Sequence, residues 1–171
     1  MWGRITDLHI TPRSLPGDVT GLEQLFQRLQ GRPYAMLLLS GGDLDSARYS
    51  LMGWDPFLVL RAKGNRVVIQ GEGWRREQTG NPFDVLEDCL GSLALPGALG
   101  FLAYDLKNHL ERLPVTVQDD LQLPEMVLAF PRHLIIHDRW EARTTQVEVE
   151  YALPGGTPAL PREPDLSWED L

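Results

Sequence analysis

The sequence predicts an α+β fold, a largely antiparallel β-sheet packed with two to three helices. Three observations carry that expectation. Strand-like runs outnumber helical ones and mostly succeed one another, which does not suit an alternating βα chain. Lys63-Gly64-Asn65 joins two of those runs with hairpin-turn chemistry. Residues 126–137 and 144–153 form a long antiparallel pair turning through Asp138-Arg139-Trp140.

Taken in order, residues 4–10 read as a short strand. Thr20 and Glu23 form a capping-box pattern, and Leu22, Leu25, Phe26 and Leu29 recur at helical spacing before Gly31, which defines the first helix. Residues 34–39 are a continuous apolar run too short for a helix, so a strand buried on both faces is expected. Residues 47–53, 57–62 and 66–70 are three further strands, and Gly71-Glu72-Gly73 is a turn. Asn81-Pro82 opens a second helix, with the amide as cap and proline where a missing N–H costs nothing. Its inner face is expected to carry Phe83, Leu86, Cys89, Leu90 and Leu93. Residues 97–104 are strand-like, with glycines that let another backbone approach, and residues 105–112 suit a short helix. From residue 153 onward, four prolines, two adjacent glycines and a net acidic charge have linker composition. The expected organisation is therefore a domain over residues 1–152 and a proline-rich linker over residues 153–171.

A length of 171 residues suits one domain, and 43% hydrophobic with 23% charged residues is ordinary for a soluble globular protein. The net charge of −8 disfavours a phosphate backbone, and Arg61, Lys63, Arg66, Arg75 and Arg76 are scattered among acids, so nucleic-acid binding is not expected. Cys89 is the only cysteine, which excludes an intramolecular disulfide and suits a reducing cytosol; on the apolar side of a helix it reads as a core residue. No run approaches the ~20 apolar residues that span a bilayer, and the N-terminus has no signal-peptide pattern, so a cytoplasmic protein without membrane contact is expected.

No catalytic constellation emerges from the residues. His133 and His137 lie four apart, but on a strand that separation is about 13 Å, too far to share an ion. Ser40 lacks a nucleophile elbow, and Glu87-Asp88 and Asp119-Asp120 are mere chain neighbours. A binding constellation is better formed. Ser40 ends a strand, Gly41 and Gly42 free backbone amides to face an anion, Arg48 can fork a carboxylate, and Tyr49 adds an aromatic wall. Asp43 and Asp45 are placed to meet an ammonium group. Such a set suits an amino acid; a tight hairpin with polar residues facing water is the alternative.

Pro33-Tyr34-Ala35-Met36-Leu37-Leu38-Leu39-Ser40, Arg48-Tyr49-Ser50 with Asp55-Pro56, and Gly97-Ala98-Leu99-Gly100 with Tyr104-Asp105-Leu106 occur in one order with Leu110-Glu111-Arg112-Leu113-Pro114, Leu123-Pro124-Glu125-Met126 and Ile135-Ile136-His137-Asp138. In that order and spacing the chain resembles, over residues 4–150, the N-terminal domain of aminodeoxychorismate synthase component I and of anthranilate synthase component I. No single piece is diagnostic; the six in register are.

The resemblance implies a non-catalytic domain that packs against a larger chorismate-binding domain, to which a glutamine amidotransferase subunit sends ammonia. Magnesium belongs to that absent catalytic domain, so this chain is expected to hold no cofactor and no metal and to be inactive alone. An apolar surface around residues 97–104 and beside Ser40 is expected for the partner domain. The family's tryptophan pocket, carried over by position, implicates Ser40, Arg48, Tyr49 and Ser50. Feedback-inhibited anthranilate synthases have an acidic residue before that serine, where this chain has Leu39. That departure favours the aminodeoxychorismate branch, in folate (para-aminobenzoate) precursor synthesis. The alternatives are the tryptophan-sensing domain of anthranilate synthase and a stand-alone interaction protein on the same scaffold.

Overall fold

The computed structural model describes residues 7–15, 19–42, 44, 46–92, 97–111 and 119–152. In chain order the elements are β1 (Asp7–Leu15), α1 (Val19–Leu29), β2 (Met36–Leu38), β3 (Tyr49–Lys63), β4 (Arg66–Gly71), β5 (Trp74–Thr79), α2 (Pro82–Ser92), β6 (Leu99–Leu102), a 3₁₀ helix (Tyr104–His109), β7 (Met126–Asp138) and β8 (Arg143–Ala152). Hydrogen-bonded neighbours run β1-β8-β7-β3-β4-β5, with β2 on β3 and β6 on β7. The α+β class with a largely antiparallel sheet is what the sequence predicts. Contacts divide the chain into residues 1–56 with 131–171, and residues 57–130; β3 and β7 contribute to both units.

In the first unit, Leu22, Leu25 and Leu29 of α1 are buried with Met52, Trp54 and Ile135, while Phe26, Leu15, Ala35 and Leu37 pack at the margin. Each fully buried leucine contributes about 1.5–3 kcal/mol relative to exposure, so this stripe is what fixes α1 in place. The helix begins at Val19, which puts Thr20 inside the first turn and not at the cap. Gly31 ends it at φ +91, where a side chain would be strained, and the Arg32 N–H donates to the Leu29 carbonyl at 3.0 Å. Asp55 takes φ +49 inside β3, an uncommon value for a non-glycine residue, and the Arg32 Nη1 donates to its carboxylate at 2.9 Å. Pro12 is tolerated in β1 because that strand lies at the sheet edge.

The second unit is built on the β3–β4–β5 meander. Lys63 pairs with Arg66 across a two-residue Gly64-Asn65 turn in which Gly64 takes φ +50. Residues 119–125 are tied to this hairpin: Lys63 reaches Asp119 and the Leu123 carbonyl, and the Glu125 N–H donates to the Ala62 carbonyl at 2.8 Å. Asn81 caps α2 as expected, its side-chain oxygen accepting from the Phe83 N–H at 3.0 Å. The Cys89 thiol is buried, and burial pushes its pKa up to about 11, which makes it a core residue and a poor nucleophile.

Several expectations are corrected. The run at 34–39 yields only three strand residues, Met36–Leu38, and is not buried on both faces, since Leu38 and Leu39 are exposed. The strands expected at 47–53 and 57–62 are one, because Asp55-Pro56 bends β3 without ending it. β5 was not expected; its charges suit an edge strand, where alternate residues face water. On α2 the buried residues are Pro82, Val85 and Cys89, with Phe83 and Leu86 half-buried and Leu90 exposed. The helix expected at 105–112 is the 3₁₀ segment Tyr104–His109. Residues 4–6, Asp43, Asp45, Leu93, 112–114 and the 153–171 linker lie outside the described residues.

Candidate functional site

β2 and β3 form a hairpin whose ladder ends at Leu38 opposite Leu51. Two hydroxyls continue it. The Ser40 N–H donates to Ser50 Oγ at 3.1 Å, and Ser40 Oγ donates to the Tyr49 carbonyl at 2.6 Å. Side-chain oxygens here replace main-chain partners, which pins the hairpin mouth while ending regular pairing. Ser50 is fully buried, so of the two serines only Ser40 lies near the surface. Leu39 and Tyr49 flank it, 44% and 48% exposed.

Arg48 is engaged. Its Nε lies 3.0 and 3.1 Å from the two Asp138 oxygens and its Nη2 lies 2.7 Å from Oδ2, a bidentate fork. The guanidinium carbon lies 4.8 Å from the Tyr49 ring centroid and 4.7 Å from that of Trp140, distances at which a cation is attracted to an aromatic face. Asp138 also accepts from the Trp140 N–H at 3.0 Å and the Glu141 N–H at 3.4 Å. The hydrogen bond from Arg48 first, and the backbone donors after it, hold the Asp138 carboxyl down to about 2, while the same bond raises the Arg48 pKa. A carboxylate lowered in the folded state stabilises fully above its ordinary value near 3.8, and that contribution is lost as pH falls through about 2. Asp138→Asn is therefore expected to be less stable than the parent near neutral pH, with the gap closing toward pH ~2. Urea midpoints at the two ends of that range check this; a constant gap would contradict it.

The structure thus brings Ser40, Arg48, Tyr49 and Ser50 into one hairpin mouth, with one carboxylate-binding edge of Arg48 holding Asp138. The Asp138-Arg139-Trp140 turn, read from sequence only as a connection, is part of this neighbourhood. A signal was available: the turn carries an acid, a base and an aromatic residue where asparagine or glycine would suffice. The two histidines of β7 have separate environments. His137 Nδ1 lies 2.9 Å from Thr144 Oγ1, whereas His133 stacks on Trp54 at 5.1 Å between centroids. Phe101, Leu102 and Tyr104 are exposed, as Leu38 and Leu39 are beside Ser40.

The chain is an antiparallel α+β protein whose β2–β3 hairpin mouth is pinned by two serines and flanked by exposed Leu39 and Tyr49. Sequence comparison gives its kin. It is 35% identical over 147 residues to anthranilate synthase component 1 of Acetivibrio thermocellus, covering 77% of this chain and 30% of that protein. It is 32% identical over 128 residues to aminodeoxychorismate synthase component 1 of Escherichia coli, covering 68% and 28% respectively. Anthranilate synthase component 1 of Mycobacterium bovis is 30% identical over 153 residues, 81% of this chain and 30% of that protein. No family model matches the chain. The chain belongs to the component I family of anthranilate and aminodeoxychorismate synthases and corresponds to their N-terminal domain. It spans less than a third of the length of these relatives. Among the described residues, no helix is long and apolar enough to cross a membrane.

Proposed function

We propose that this chain is the non-catalytic domain of a chorismate-aminating synthase and that the mouth of its β2–β3 hairpin binds an amino acid, tryptophan in the first instance. The observation that carries the proposal is the Ser40–Ser50 arrangement, in which Ser40 and Tyr49 stand at the surface and buried Ser50 fixes the main chain behind them. Leu39 beside Ser40 favours the aminodeoxychorismate branch, since a carboxylate at that place would draw the ligand ammonium and leucine does not. The reaction context is then conversion of chorismate and glutamine-derived ammonia to 4-amino-4-deoxychorismate for folate synthesis. The chorismate-binding domain, with its magnesium, and the glutamine amidotransferase are the partners, and the exposed apolar residues supply surface for the former. The anthranilate branch is the second reading, supported by the 35% identity to a protein of that name.

Titration calorimetry with L-tryptophan tests the binding. Saturable heat is expected, weakened roughly two- to tenfold in Ser40→Ala, the effect of one neutral hydrogen bond. Leu39→Glu is expected to bind more tightly. Absence of binding would reject the amino-acid site. Product formed by this chain from chorismate, ammonia and magnesium would reject the non-catalytic role.

A further inference from the structure

The turn that follows β7 holds the loop of the candidate site by several bonds. Asp138 takes the Arg48 fork, and the Arg139 N–H donates to the Arg48 carbonyl at 3.0 Å. Arg139 Nη1 reaches the Ala47 carbonyl at 3.1 Å and the Gly42 carbonyl at 3.4 Å. Trp140 lies against the Arg48 guanidinium. Among the described residues of the loop, the Ala47 N–H donates to the Leu44 carbonyl and the Arg48 N–H to the Ser46 carbonyl, both short-range bonds that do not reach the sheet.

We propose that Asp138, Arg139 and Trp140 are positioning residues for this site, and that Arg48 acts by fixing the loop's shape and not by gripping a ligand carboxylate. The proposal rests on the amino-acid reading of the hairpin mouth given above. Its physical basis is the state of the Arg48–Asp138 pair. Nε and Nη2 form one carboxylate-binding edge of the guanidinium, and Asp138 occupies it. The Asp138 side chain is only 5% exposed, so a ligand taking that edge would leave a buried carboxylate without its counter-charge, a costly exchange. Asp138 is itself fixed by the N–H groups of Trp140 and Glu141. The support therefore runs from the β7–β8 turn through Arg48 to Tyr49, whose carbonyl receives the Ser40 hydroxyl. Ligand affinity should then depend on residues that never touch the ligand.

Hydrogen exchange on the ligand-free chain is the direct test. Asp138→Asn keeps an amide oxygen for the Trp140 and Glu141 N–H groups, so the turn survives while the charge is lost. The expected result is exchange over residues 40–50 faster by about tenfold in Asp138→Asn and in Arg48→Ala, as for loss of one charge-assisted hydrogen bond. The β4–β5 hairpin and α1 should accelerate by less, only as far as the lower overall stability requires. Arg48→Lys, which retains the cation without the fork, should restore part of the protection, and the Arg48→Ala/Asp138→Asn double variant should exchange no faster than the faster single. Unchanged loop exchange in both single variants would overturn the proposal, as would acceleration spread evenly along the chain. L-Tryptophan titration separates the two readings: affinity lowered in Asp138→Asn supports positioning, and full affinity with a loosened loop overturns it. If the parent binds no tryptophan, the ligand reading fails and the exchange data alone decide whether the turn holds the loop.

Discussion

Gly100→Ala is expected to destabilise the protein by about 2–3 kcal/mol, the scale of forcing an extra carbon into a packed site. Gly100 pairs with Leu128 in the β6–β7 ladder. A Cβ built there would lie 1.9 Å from the Val127 carbonyl oxygen, 2.9 Å from the carbon behind it and 3.0 Å from the Leu128 Cα. All three are main-chain atoms, which cannot swing aside as a side chain can. β6 would have to draw away from β7, breaking its pairing and uncovering buried Leu99. A lower urea midpoint at unchanged slope, with faster exchange over Leu99–Leu102, is the expected measurement. Gly91→Ala in α2 is the control, because a Cβ there meets nothing within 4 Å, and it should be neutral or slightly stabilising. Equal stability of the two variants would show that β6 does not need so close an approach.

Acidification is expected to remove about 3 kcal/mol of stability through His133 alone. The imidazole is fully buried on the Trp54 ring, and neither of its nitrogens has a hydrogen-bond partner among the described residues. Burial lowers its pKa from 6.5 to about 4; Asp55 pulls the other way, and Arg132 and Arg32 reinforce the lowering. Above 6.5 neither the folded nor the unfolded chain binds this proton, so stability is independent of pH on its account. Between 6.5 and about 4 the unfolded chain binds it and the folded protein does not, and stability falls. Below about 4 both are protonated and the loss stops growing. His133→Phe keeps an aromatic ring on Trp54 and removes both unpaired nitrogens, so it should be at least as stable near neutrality and should flatten this part of the profile. Parallel stability profiles for parent and variant would contradict the assignment.

Local chemistry explains what was legible in the sequence. The α1 stripe, the Asn81 cap, the Gly64-Asn65 turn and the β7–β8 pair each depend on a periodicity or a dipeptide contained in a few residues. β5 was missed because its Arg75, Arg76 and Glu77 look like loop, and charge alternation on an edge strand becomes visible only once a neighbouring strand is in place. The apolar run at 34–39 was over-read for the complementary reason: hydrophobicity states that a segment should be covered, not that this chain supplies the cover.

The same division runs through the site. Ser40, Arg48 and Tyr49 could be nominated from sequence because they lie close along the chain and carry groups that suit an amino acid, and the family resemblance added Ser50. Their roles could not. The partner of Arg48 stands 90 residues away, the Ser40–Ser50 bond depends on hairpin register, and the Arg139 contacts exist only where two loops meet. The sequence by itself determined the α+β class and the family, because propensity, periodicity and motif order are properties of neighbours along a chain. Only the tertiary structure decided that Arg48 is held by Asp138, that Ser50 is buried and that His133 stacks on Trp54 with no hydrogen-bond partner for its nitrogens among the described residues. Charge pairing and burial are set by distances through space, and no pattern of neighbours encodes them.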